Sequence, residues 1–344
     1  MNRSTSFPPA KPRHSREAGI LTLLAVLIVI LFLVSMNTGL MRLSPLEVLH
    51  TLSGNGTKQQ QLILFDFRLP RIVISLLIGA GFAVAGAILQ GLSRNALAEP
   101  STLGINAGAG FAVLIFISFV PATTAAPILV LPLLALAGAS LTATLIYFLS
   151  YRREDGLSPT RLILIGIAVG AGIYAFQLIL SLRLDPQNYQ FVAIWLAGKI
   201  WGGDWRFVLA LLPWILILLP FAFYKARVLN VLNLGDELSK GLGLPLERER
   251  RWLLAAAVAL AGACVSVSGS IGFVGLIAPH LARRLVGPRH QILLPAAALI
   301  GALLLLTADT IGRWILQPAE VPTGIVVAII GAPYFLYLLA TSKA

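Results

Sequence analysis

Few residues in this 344-residue chain have the type and spacing for covalent chemistry. The histidines are His14, His50, His280 and His290, and no two stand three or four apart on one helix, so a zinc set is not expected. His280 follows Pro279 beside an apolar segment and reads as structural. The single cysteine, Cys264, sits in an apolar run, which excludes an intrachain disulfide or a thiolate cage and fits a small buried hydrophobe. No G-x-x-x-x-G-K-[ST] loop occurs; Gly198-Lys199, the one Gly-Lys pair, lacks the earlier glycine and is followed by Ile200. No metal, cofactor or nucleotide is expected to bind this chain directly.

The remaining polar residues suit recognition better than catalysis. Arg68, Arg71 and Arg313 carry guanidinium groups that match carboxylates bidentately. Interfacial snorkelling, with an i,i+4 pair between Asp309 and Arg313, accounts for them as well. Between Lys225 and Arg251, Asp236 can cap a short helix, Glu237 favours its first turn, Lys240 its last, and Gly241 and Gly243 can end it. Such a helix is too polar to insert in a membrane and could lie in a groove on a partner, or be an ordinary solvated loop. Gln90, Asn95 and Asn106 stand near predicted helix ends, where they either line a polar route or hydrogen-bond helix to helix.

Composition says what positions these groups. Hydrophobic residues make up 58% of the chain and charged ones only 12%, half of the ~25% that a water-exposed surface uses. Mean hydropathy is +0.88. The chain must therefore be solvated partly by lipid. Its net charge of +12 would hint at nucleic acid in a soluble protein, but here it fits cytoplasmic loops facing anionic lipid, with no nucleic-acid partner.

A helix needs ~20 apolar residues to cross the hydrocarbon core. Windows free of Asp, Glu, Lys and Arg cover 18–41, 72–93, 100–151, 162–182, 207–224, 252–282, 290–308 and 321–342. Pro121, Pro127 and Pro132 divide 100–151 into two spans. The run Ser266-Val267-Ser268-Gly269-Ser270-Ile271-Gly272 divides 252–282 into a span and a shorter one. The sum is ten transmembrane helices, an all-α polytopic membrane protein. Residues 186–198, charge-free but short, read as a re-entrant or half-crossing helix. Lys11, Arg13 and Arg16 precede the first window as in a signal peptide, but Leu33-Val34-Ser35-Met36 offers no A-x-A-like cleavage site. Residues 1–17 are thus expected to be a cytoplasmic tail, and 18–342 the membrane domain.

With both termini placed in the cytoplasm, eighteen Lys and Arg residues fall inside and eight outside, the asymmetry of the positive-inside rule. Small residues tell how the helices meet. Gly79, Gly81, Ala83, Ala85, Gly86 and Ala87 crowd one span, and Gly104/Gly108 and Gly166/Gly170 form small-xxx-small pairs. Such residues let backbones approach closely in lipid, though each glycine could also line a pore.

Several stretches together resemble a known family. Arg68-Leu69-Pro70-Arg71 precedes the second span and Gly86-Ala87-Ile88-Leu89-Gln90-Gly91 closes it. Asn95-Ala96-Leu97-Ala98-Glu99-Pro100 and Leu103-Gly104-Ile105-Asn106-Ala107-Gly108-Ala109-Gly110 follow. Then come Gly235-Asp236-Glu237-Leu238, Gly241-Leu242-Gly243, Gly272-Phe273-Val274-Gly275-Leu276-Ile277-Ala278-Pro279-His280, Ala308-Asp309 and Gly331-Ala332-Pro333. In this order, over residues 20–342, they resemble the FecCD-type permeases of ABC importers for ferric siderophores, haem and vitamin B12. The resemblance implies ten spans, with an inverted repeat of helices 2–5 and 7–10. It also implies a coupling loop, 225–251, in which Gly235, Asp236, Glu237, Leu238, Lys240, Gly241, Leu242 and Gly243 dock on a cytoplasmic ATP-binding subunit that uses the ATP. By the same resemblance, Arg68, Arg71 and Arg313 receive glutamates of an extracytoplasmic substrate-binding protein. A second permease, identical or more commonly related, completes the path through the cytoplasmic membrane, and ferric siderophores are the commonest cargo.

Two other classes are weighed. An ion-coupled secondary transporter would carry ionisable groups at mid-membrane. The windows hold none, and Asp309 lies near a predicted end. An intramembrane enzyme would need a nucleophile–base or paired-carboxylate constellation, and none is evident.

Overall fold

The structure is a computed structural model that describes residues 13–39, 44–120, 129–153, 156–200 and 204–341. Among them, the apolar windows become ten helices. They are Arg13–Asn37, Leu69–Ser93, Ile105–Phe119, Val130–Ser150, Pro159–Ser181, Trp205–Tyr224, Leu246–Ser268, Val274–Val286, His290–Ile315 and Thr323–Thr341, here the first to tenth spans. Two antiparallel strands of two residues each pair Tyr151 with Leu157 and Arg152 with Gly156 as a short hairpin between the fourth and fifth spans. The helix Pro186–Leu196 realises the short segment expected at 186–198, capped by the Asp185 carboxylate, which accepts from the N–H groups of Gln187 and Asn188. The turn expected at Pro121 and Pro127 lies outside the described residues.

Three boundaries differ from the charge-free windows. The first span begins at Arg13, so residues 13–17, expected in the tail, are helical; residues 1–12 lie outside the described residues. The second span is continuous with Lys58–Gln61 and a π-helical stretch, Leu62–Arg68. Arg68 and Arg71 are therefore inside one long helical run and do not flank its start. The ninth span continues to Ile315, which puts Asp309 and Arg313 within the helix. A scan that ends a span at any charge truncates it wherever the charges are neutralised by each other.

Seven of the ten helices are long and apolar enough to cross a bilayer, and the tenth is apolar over the shorter stretch Thr323–Leu338. The third, of 15 residues, and the eighth, of 13, fall shortest: at 1.5 Å per residue they reach roughly 20 Å against a core of ~30 Å. Each starts from a left-handed residue, Gly104 (φ 67°) or Phe273 (φ 67°), after a loop that enters the protein interior. Non-helical backbone at such depth survives only where protein satisfies it, and these two loops satisfy each other. Glu99, buried, accepts the Phe273 N–H at 2.9 Å, and the Asn106 amide donates to the Ile271 carbonyl at 3.1 Å.

The second span is the buried axis of the bundle. A Cβ on Gly79 would fall on the Gly301 carbonyl of the ninth span, and one on Gly86 on the Gly275 carbonyl of the eighth. Gly81 faces the Cys264 sulfur of the seventh, and Gly108 of the third span meets Gly138 and Thr142 of the fourth. Here close packing is what the glycines do, and backbones in contact gain dispersion energy that lipid cannot displace. By contrast, Gly172 has open space where its Cβ would stand. Gly86→Val is expected to cost about 3 kcal/mol or prevent folding, while Gly172→Ala leaves stability unchanged; thermal unfolding of the detergent-purified protein checks both.

Candidate functional site

Two clusters of charge occupy opposite ends of the second span. At its C-terminal end, the helix Asp236–Gly241 forms as expected, with Asp236 and Glu237 in its first turn and Lys240 in its last. The cap differs. Gly235, at φ 103°, takes the N-cap position, and the Asp236 side chain leaves the helix for more distant partners. Its Oδ1 accepts from Arg250 at 2.7 Å and pairs with Arg94 at 3.2 Å. Arg94 is the left-handed C-cap of the second span, and Arg250 belongs to the seventh. One carboxylate thus ties the short helix to two membrane helices. A capping bond to backbone N–H is worth ~1 kcal/mol, and a buried guanidinium that needs an anion outbids it.

Arg250 is 3% exposed. It also donates to the Leu157 carbonyl of the hairpin at 3.2 Å, while Lys225 pairs with Glu249 at 2.7 Å. Ser239 fixes the short helix from beneath by donating to the Val231 and Gly235 carbonyls. On the opposite face Glu237, Lys240, Gly241 and Gly243 are exposed, as are Leu238 (61%) and Leu242 (66%). Gly241 has nothing within 4 Å of a would-be Cβ.

At the other end, Asp309 is fully enclosed and shared between two arginines. It accepts from Arg71 at 3.0 Å and Arg313 at 3.0 Å, and from the Thr323 hydroxyl at 3.2 Å. Arg71 also holds Glu320 at 3.0 Å. Arg313 donates to the Thr38 carbonyl and the Ser35 hydroxyl, and Arg68 to the Met36 carbonyl. The cluster therefore joins the first, second, ninth and tenth spans, and its two carboxylates neutralise Arg71 and Arg313. Arg68 and Arg313 are buried, at 6% and 7% exposure, so they do not snorkel. Arg71 borders the surface through Glu320.

Gln90 and Asn106 are buried. Gln90 donates toward the Gly275 and Leu276 carbonyls, and Asn106 to Ser270 and Ile271, so both bond across helices. Asn95 instead accepts the Leu97 N–H in a local turn. Arg94, Arg250, Glu320 and Glu99 were not singled out from sequence as site residues. Glu99 stood within a recognisable segment, Asn95 to Pro100, but nothing in its spacing marks a carboxylate that caps a helix 174 residues away. His280 sets its ring edge-on to Tyr334 at 5.9 Å.

With the geometry in place, comparison with known proteins decides the family. The FecCD transport family model matches residues 27–341. The chain belongs to the FecCD transport family. It is 50% identical, over 96% of its length and 98% of the relative's, to the iron(3+)-hydroxamate import system permease protein FhuG of Bacillus subtilis (strain 168). It is 46% identical to the Fe(3+)-citrate import system permease protein YfmE of the same organism, over 95% of this chain and 96% of that one. A solved structure reported as a metal-chelate type ABC transporter in an inward-facing conformation matches with a TM-score of 0.81 at 32% identity, covering 95% of this chain and 100% of the other. The fold is thus that of a FecCD membrane permease.

Within this FecCD chain, Asp309 is the keystone of its cluster. Asp309→Asn leaves two arginines short of a buried anion and is expected to cost about 3–5 kcal/mol. Glu320→Gln, at the partly exposed rim, should cost under ~1 kcal/mol. Thermal unfolding of the two purified variants, side by side, measures the difference.

Proposed function

We propose that the chain is the permease subunit of an ABC importer for ferric chelates, siderophores above all, driven by ATP that a separate cytoplasmic subunit hydrolyses. Family membership and the import-system names of its relatives support the permease role and the class of cargo. One observation in the chain itself carries the coupling. The short helix Asp236–Gly241 turns two bare leucines outward while Asp236 grips the second and seventh spans inward. Two exposed leucines beside Glu237 and Lys240 give this polar segment apolar side chains to bury against a partner subunit. Movement imposed on it by an ATPase would be passed to two helices through one carboxylate.

Both termini lie in the cytoplasm in this reading, and the end bearing Asp236 faces the ATPase. The opposite end receives a substrate-binding protein. Of the three arginines considered for docking, Arg71 with Glu320 is the pair at the surface; Arg68 and Arg313 support it from within. A second permease, identical or related, completes the path, with polar residues Gln90, Asn95 and Asn106 near the meeting of the broken helices. Alternating access is then a two-state equilibrium that ATP binding biases through differential contacts. An ion-coupled mechanism has less support, because Asp309 is already saturated by Arg71, Arg313 and Thr323.

Because Gly241 has free space around it, Gly241→Trp should leave folding and membrane level intact yet lower ferric-siderophore uptake at least about tenfold, the effect of losing ~1.4 kcal/mol or more of docking. Leu238→Asp should do the same, and the ATPase should no longer co-purify with either variant. Normal uptake and retained ATPase in both would overturn the coupling role.

A further inference from the structure

A groove of about 500 Å³ runs between the fourth, sixth and seventh spans, outside both charge clusters. Leu136, Phe148, Trp214 and Val258 give it apolar walls. Along the fourth span it is lined by Ser140, Thr144 and Tyr147, which share one helix face at i, i+4 and i+7. Arg251 stands at one mouth beside Tyr147, whose ring stacks on Tyr151 at 5.8 Å. That mouth is at the end of the bundle that carries Asp236, since the adjacent Arg250 holds that carboxylate.

The charge and the length of the groove both constrain its occupant. Arg251 is exposed, and its Nε donates to the Glu247 carbonyl at 3.3 Å. The Glu247 carboxylate is turned to Leu157 and Arg250, and among the described residues no carboxylate pairs with Arg251. Among the described residues the mouth carries the exposed guanidinium of Arg251 with a phenol beside it, Arg152 and Arg153 exposed on the adjoining hairpin, and the Glu247 carboxylate within electrostatic reach of the phenol, while the interior is oily. From Tyr147 to Leu136 the groove follows the fourth span for about 16 Å at 1.5 Å per residue, roughly half of a ~30 Å hydrocarbon core. It is one leaflet deep. We propose that the groove holds one acyl chain of an anionic phospholipid, with the headgroup phosphate on the Arg251 guanidinium and the Tyr147 hydroxyl. A guanidinium fork matches phosphate oxygens bidentately, and basic groups at the membrane surface select anionic over zwitterionic lipid. The site does not depend on the cargo or on the ATPase partner.

The test uses the protein purified from its native membrane with whatever subunits accompany it. It is placed in nanodiscs of equal parts phosphatidylglycerol and phosphatidylcholine, re-extracted, and its retained lipid counted by native mass spectrometry. Phosphatidylglycerol should be retained in preference, about one per chain. Arg251→Glu should lower that retention about fivefold or more, the effect of losing one basic group at ~1 kcal/mol. Arg227→Glu, the same charge change elsewhere on an exposed arginine, should not. Ala143→Trp fills the groove without touching Arg251 and should also expel the lipid. Equal retention of the two lipids by the unaltered protein, or equal effects of Arg251→Glu and Arg227→Glu, would overturn the proposal. So would cross-linking of Ala255→Cys to another polypeptide covering the groove. Because the first comparison needs no variant, misfolding of one cannot rescue or sink the idea.

Discussion

A polar group inside a bilayer has no water to turn to, so the breaks and charges that interrupt these spans are met by other parts of the chain. Left unpaired, such a group costs several kcal/mol. That constraint explains why the third and eighth spans, which start inside the protein, begin beside each other: Glu99 takes the Phe273 N–H, and Asn106 gives its amide to Ile271. It also explains the enclosed Asp309, whose carboxylate in the ninth span is held between Arg71 and Arg313. The polar residues are few, and nearly all of them are structural answers before they are functional ones.

The second span carries this scheme from end to end. Its glycines bring the backbones of the eighth and ninth spans into contact, so it is held as a rod and not as a loosely packed helix. Close-packed interiors transmit displacement with little give. At one end Arg71 locks it to the ninth span through Asp309, and at the other Arg94 reaches the short helix through Asp236. In the proposed role, in which a separate subunit supplies the energy, a push on the exposed face of Asp236–Gly241 would reach the membrane interior along this path of ion pairs and backbone contacts.

How much of this was legible in the sequence varied with the range of the interaction. Apolar windows and proline breaks gave ten spans and the short segment at 186–198, because hydrophobic run length is a local property. The small-residue clusters marked the close approaches, although not which backbone each would meet. Boundaries failed at Arg71, Asp309 and Arg313, where charges cancel across 238 residues of chain, and at Arg68, which donates to the Met36 carbonyl; the helices continue past them. Asp236 was read as a cap because capping is the local use of an aspartate at a helix start; two arginines from other helices claim it instead. Glu99 could not be weighed at all, since its partner is the backbone N–H of a residue in a distant loop.

The most direct test of this linkage compares ATP hydrolysis with cargo uptake in proteoliposomes containing the complete importer with Asp236→Asn. Removing the charge should loosen Arg94 and Arg250 while leaving Leu238 and Leu242 to hold the ATPase. Hydrolysis should then continue, with uptake per ATP reduced at least about tenfold, equivalent to ~1.4 kcal/mol of lost coupling, and largely restored in Asp236→Glu. Uptake per ATP equal to that of the unaltered protein would contradict the role of this carboxylate as the link between the ATPase and the second and seventh spans.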